Sequence, residues 1–109
     1  MKKYHDFLIQ ALKDPEEAAG YLNAVLEEGD RDMFLVALKN VAEAHGGMTK
    51  LSRRLKLNRP NLYRMLSKKG NPEIKTLTHV LKDFGLRLAV IAAGKEKIKT
   101  PRASYPRLT

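Results

Sequence analysis

Cysteine is absent from the chain, which excludes disulfides and thiolate-bound metals. No apolar run approaches the roughly 20 residues of a membrane-spanning helix. The N-terminal MKKYHDFLIQALKD has a charged start and a short apolar patch, but Gln10, Lys13 and Asp14 interrupt it. No clean small-residue cleavage site follows, so the expectation is a cytoplasmic protein without a signal peptide. A phosphate-cradling glycine loop is missing, and no Ser or His stands in a nucleophile setting. His5, His45 and His79 are scattered over three predicted helices with no metal-ligand spacing. These absences argue against an enzyme and imply no cofactor and no metal. There are also no internal repeats.

Acid is scarce in one half of the chain. Asp6, Asp14, Glu16, Glu17, Glu27, Glu28, Asp30, Asp32 and Glu43 all precede Gly46, whereas from Thr49 onward acids are sparse and Lys/Arg dense. Over 109 residues the 21 Lys+Arg and 12 Asp+Glu leave a net charge of +9 and a pI near 9.9. That balance favours an anionic partner, and its unevenness points to two surfaces with different partners. The length fits one compact domain with a modest core.

The periodicity is helical almost throughout. Tyr4 to Lys13 carries Phe7, Leu8, Ala11 and Leu12 at spacing three to four. Asp14-Pro15-Glu16-Glu17 is a helix start, with an N-cap, a proline at the first position and acids near the positive end of the dipole. The helix it opens runs to about Glu28 with Ala18, Tyr21, Leu22, Val25 and Leu26 inward, and Gly29 stops it. Asp30 then caps Arg31 to about His45, with Phe34, Ala37, Leu38, Val41 and Ala42 on one face. His45 near a helix C-terminus suits the dipole when protonated.

The chain is organised around Gly47 to Lys69, GMTKLSRRLKLNRPNLYRMLSKK. Met48 to Leu55 reads as a short helix with Leu51 and Leu55 on one face and Ser52 small enough for a close crossing. The turn is Lys56-Leu57-Asn58, with Leu57 as its apolar plug and Asn58 as the next N-cap. Pro60 falls in the first turn of the second helix, where its missing N–H costs little. Leu62, Met65 and Leu66 form the buried stripe, leaving Arg59, Asn61, Arg64 and Lys68 outside. Two short helices, a tight turn and long polar donors at the second helix's start make a helix-turn-helix. Arg suits guanine and Asn suits adenine in the major groove. The alternative is a plain helical hairpin with a solvated basic face. Tyr63 fits stacking on sugar-phosphate and partial burial equally well.

After the Gly70-Asn71-Pro72 turn, Glu73 or Ile74 to Phe84 is a helix with Ile74, Leu77, Val80, Leu81 and Phe84 inward, and Gly85 stops it. The period then changes. Leu86 to Ala92 alternates, with Leu86, Leu88 and Val90 on one side, which predicts a β-strand. A lone strand leaves its ladder unpaired, so it is expected to pair with the same strand of a second copy. The competing reading is a helix extension broken at Gly85. From Lys95, the tail with Lys97, Lys99, Arg102 and Arg107 is basic, and reads as a solvated end more readily than as a DNA arm.

The combination of Tyr21-Leu22-Asn23-Ala24, Glu28-Gly29-Asp30, Leu62-Tyr63-Arg64, Leu66-Ser67, Gly70-Asn71-Pro72 and Gly85-Leu86-Arg87-Leu88 resembles the HigA-like antidote proteins of bacterial addiction modules, with their lambda-repressor-like (Xre-type) helix-turn-helix. The likeness covers nearly the whole chain up to about Val90. Departures are Ser52 where alanine is usual, Glu73 where a capping Ser or Thr is commoner, and a longer tail. The fold expected is all-α, five to six helices plus one short C-terminal dimerisation strand. Its parts are N-terminal helices over 1–46, a DNA-binding core over 47–85, the strand over 86–94 and the tail over 95–109.

The resemblance implies a homodimeric antitoxin that represses its own operon through an inverted-repeat operator and neutralises a RelE/ParE-like toxin encoded beside it. It implies a recognition helix from Arg59 to Ser67, with Arg59, Pro60 and Arg64 facing bases and Asn61 facing bases or phosphate. Thr49, Lys50, Ser67 and Lys68 would sit near phosphates. Such toxins are basic, so the acidic front half is a toxin-facing surface in this reading, with Phe7, Leu8 and Leu12 as apolar anchors. Those helices could equally complete the core. Two other readings stand beside it: a stand-alone Xre-type repressor without a toxin, and an RNA- or ribosome-associated basic helical protein.

Overall fold

Three helix starts follow directly from side-chain capping in the computed structural model, which describes residues 2–67 and 70–94. Asp14 accepts from the Glu16 amide at 3.0 Å, Asp30 from Met33 at 3.2 Å and Asn58 from Asn61 at 3.0 Å. Each bond satisfies an amide that the first turn leaves without a partner. The helices among the described residues are α1 (Lys2–Ala11), α2 (Pro15–Glu28), α3 (Arg31–Ala44), α4 (Met48–Leu55), α5 (Arg59–Met65) and α6 (Ile74–Asp83). The all-α expectation therefore holds. The first helix sits two residues earlier than its periodicity predicted, and α5 ends at Met65 rather than Ser67.

The centre is α3, which packs against α1, α2 and α4, while α4 carries α5 and α6 on its other sides. The core joins Leu12, Leu22, Leu35, Leu38, Val41, Leu51, Leu62, Leu66, Val80 and Phe84. Two residues expected inward lie out: Leu26 is 49% and Ile74 71% exposed. At 100° per residue each is rotated roughly 70° from the middle of its helix's buried stripe, and Ile74 also opens its helix.

The expected strand is not seen in the single chain. Residues 86–94 carry no helix or strand, and a ladder would need a second strand, which is absent among the described residues. Leu86 is instead part of the α6 terminus. Its amide donates to Leu81 O at 2.8 Å and that of Gly85 to Lys82 O at 2.9 Å. Gly85 has φ +83°, so this is a Schellman cap with Leu86 packed back on the core. Beyond it Leu88, Val90 and Ile91 are 44%, 99% and 40% exposed. The tail from Lys95 lies outside the described residues. No helix among them is long and apolar enough to cross a membrane.

Candidate nucleic-acid interface

From His45 to Pro72 the chain has no acidic residue, and α4, the turn and α5 lie within that stretch. The turn closes through Lys56, which takes left-handed φ +57°, with the Leu57 amide donating to Ser52 O at 2.9 Å. Leu57 is half-buried against the core, as its plugging role predicts. Ser52 is buried and its hydroxyl donates to Thr49 O at 2.8 Å, so its polarity is satisfied within its own helix.

Leu62 and Leu66 are fully buried and Met65 is partly so. With that stripe inward, Arg59, Pro60, Asn61, Tyr63 and Arg64 are all exposed. The Arg59 guanidinium lies 5.5 Å from the Tyr63 ring centroid, a cation–π contact that orders a long side chain. Arg64 donates through Nη2 to the Asn61 side-chain oxygen. Thr49 and Lys50 are exposed at the start of α4. Ser67 is half-buried, its hydroxyl donating to Arg64 O at 2.8 Å. Lys68, expected near phosphate, lies outside the described residues. Exposed Arg53 and Lys56 add positive charge to this face. The helical phase of Arg53 signalled exposure and Lys56 stands in the turn, but neither belonged to the anticipated set.

Arg54 is a different case. It closes on Asp83 of α6 through Nε and Nη2 and also donates to His45 O at 3.3 Å. The hydrogen bonds to Asp83 hold its pKa above the ordinary guanidinium value, with desolvation opposing them and the Asp83 charge adding to them. At the start of α3, Arg31 donates to Gly70 O at 2.8 Å and fixes the loop that follows α5. A Cβ at Gly70 would fall inside the carbonyls of Arg64 and Met65, so the chain turns there only with glycine.

The front-half anchors divide. Phe7 is 73% exposed and Leu8 half-buried, whereas Leu12 is 1% exposed and belongs to the core. Leu12 is thus corrected from a surface anchor to a packing residue. The periodicity that identified it cannot distinguish the stripe's centre from its edge. His5 pairs with Glu43 at 3.1 Å, His45 stacks on Phe84 with centroids 5.1 Å apart, and His79 is exposed.

A family model described as "Probable addiction module antidote protein" matches residues 3–92. An uncharacterized protein of Haemophilus influenzae is 35% identical over 79 residues, covering 72% of this chain and 80% of that relative. No solved structure matches the chain.

Proposed function

The chain belongs to the probable addiction module antidote proteins, and we propose that it is a HigA-like, DNA-binding antitoxin that represses its own operon. In this reading α4 and α5 form a lambda-repressor-like, Xre-type helix-turn-helix. Arg59, Pro60 and Arg64 read bases, and Asn61 meets bases or phosphate. Thr49, Lys50, Ser67 and Lys68 contact phosphates. One observation carries the reading: burial of Leu62 and Leu66 turns Arg59, Asn61 and Arg64 outward together on an acid-free stretch. Such a face favours the phosphate backbone electrostatically and offers donors matched to base edges.

The protein acts as a homodimer in this proposal, joined through residues 86–92. Leu88 and Val90 are apolar and exposed, and their backbone has no ladder partner among the described residues. A two-fold pair would set two copies of α5 against an inverted repeat, about 34–36 Å apart. The toxin is of the RelE/ParE-like type in this reading, for which the support is the family resemblance, and the acidic front half suits a basic partner.

The test joins both halves of the function. The full-length chain should retard duplex DNA from its own promoter, and co-expression should rescue cells from the toxin gene beside it. Rescue without promoter binding would leave the antidote role and remove the DNA-binding proposal.

A further inference from the structure

Gly20 lies inside α2, where glycine weakens a helix relative to nearly every other residue. A Cβ built there would meet nothing within 4 Å. The chain's own packing therefore does not call for glycine at this position. What its missing side chain leaves open is a groove of about 450 Å³ between α1 and α2. Leu8, Ala11 and Leu12 line its depth, and Tyr4 and Phe7 stand beside it 71% and 73% exposed. Tyr21 is held in place because Asn40 Nδ2 donates to its hydroxyl at 2.8 Å. Exposed Glu16 and Glu17 complete the lining on the α2 side.

We propose that this groove seats a basic segment of the toxin, an assignment that rests on the antidote reading above. An aliphatic or aromatic side chain of that segment passes over Gly20 onto Leu8 and between the exposed rings. Lysines or arginines flanking it pair with Glu16 and Glu17. Charge selects this occupant. In a chain of net charge +9, the groove is lined by two carboxylates, Glu16 and Glu17, and by no basic residue, which disfavours DNA there. They favour a cationic protein surface. Aromatic anchors beside an apolar recess are the arrangement that concentrates binding energy at protein interfaces. The toxin seat and the α5 face are then separate surfaces, and one chain can hold toxin and operator together.

The test is calorimetric titration of full-length variants with the purified toxin from the adjacent gene. Gly20→Leu fills the groove from its wall and should weaken toxin binding roughly tenfold or more. Its melting temperature should stay at or above that of the wild type, because leucine is the better helix residue. Phe7→Ala should weaken binding comparably, and Leu26→Ala, on α2 but outside the groove, should not. Wild-type affinity in both groove variants would overturn the proposal. So would a change in sedimentation of Gly20→Leu without toxin, which would assign the groove to a second copy. If the wild type itself neither binds nor neutralises that toxin, the antidote reading has failed instead.

Discussion

Arg54 and Asp83 form a two-pronged ion pair, Nε–Oδ1 at 2.9 Å and Nη2–Oδ2 at 2.8 Å, that ties α4 to the last residue of α6. Asp83 is the more enclosed partner, with 15% of its side chain exposed against 39% for Arg54. The pair takes Arg54 out of the basic face and uses it to hold the helix that precedes the turn. Arg54→Ala should therefore lower stability by about 1 kcal/mol in urea unfolding. Operator affinity should stay near wild type at temperatures where the variant is folded. The pH behaviour follows from the sign of the shift. A guanidinium whose folded pKa is raised contributes fully below its unfolded pKa and loses that contribution only in stronger alkali. The Arg54 charge therefore adds no slope at neutral pH. Any neutral-range pH dependence lost in Arg54→Ala would contradict this assignment.

Base readout makes a contrasting prediction. Arg59 and Arg64 project from α5 without a carboxylate partner among the described residues, each held by a neighbour on its own helix. Replacing either with Ala should cost about 1–3 kcal/mol of operator affinity and relax preference at one base position. Lys50→Ala should weaken binding evenly across sequences and flatten its salt dependence. A set of operator variants titrated at two salt concentrations separates the two behaviours. Unchanged sequence preference in both arginine variants would remove them from the base-reading set.

The loop after α5 offers a backbone prediction. Gly70→Ala places a methyl inside the carbonyls of Arg64 and Met65, which belong to the turn ending α5. Backbone cannot yield as a side-chain tip would, so the variant should lose about 1–3 kcal/mol of stability. Arg31→Ala, which removes the hydrogen bonds to Gly70 O and to the Asn71 side chain, should lose less. Thermal unfolding of the two variants side by side checks the order.

What was legible in the sequence was local. Asp14, Asp30 and Asn58 each cap through an amide two or three residues away, so a short window holds both partners. The Gly29 and Gly85 stops are of the same kind, with φ +76° and +83°. What was not legible depends on distance in the chain. Arg54 looked like one more basic residue, because the carboxylate that takes it lies 29 positions on. Leu12 and Phe7 belong to one apolar pattern, yet the first is buried and the second exposed, since only the placement of α1 on α3 decides which part of the stripe is covered. Gly20 carried no signal, because a helix-interior glycine means something only once the space beside it is known. The strand over residues 86–92 is of a related kind: alternation reports a propensity to pair, and the partner expected for it is a second copy, which one chain does not contain.

That missing partner makes the sharpest prediction. Val90 is 99% exposed, so within one chain it packs against almost nothing, and changing it should leave the fold intact. Val90→Pro removes a backbone donor and disfavours pairing, and its melting temperature at low concentration should match that of the wild type. If residues 86–92 pair across a two-fold axis, the same variant should sediment as a monomer and bind the operator far more weakly, because a single half-site replaces two. Leu88→Glu should reproduce the loss through charge rather than backbone, placing like carboxylates near each other at the axis. Leu86 is not a useful probe, since it caps α6 and packs on the core, and its loss would confound folding with assembly. A Val90→Pro chain that still sediments as a dimer would move the interface off residues 86–92 and, with it, remove the argument that this apolar segment is exposed in order to meet its own copy.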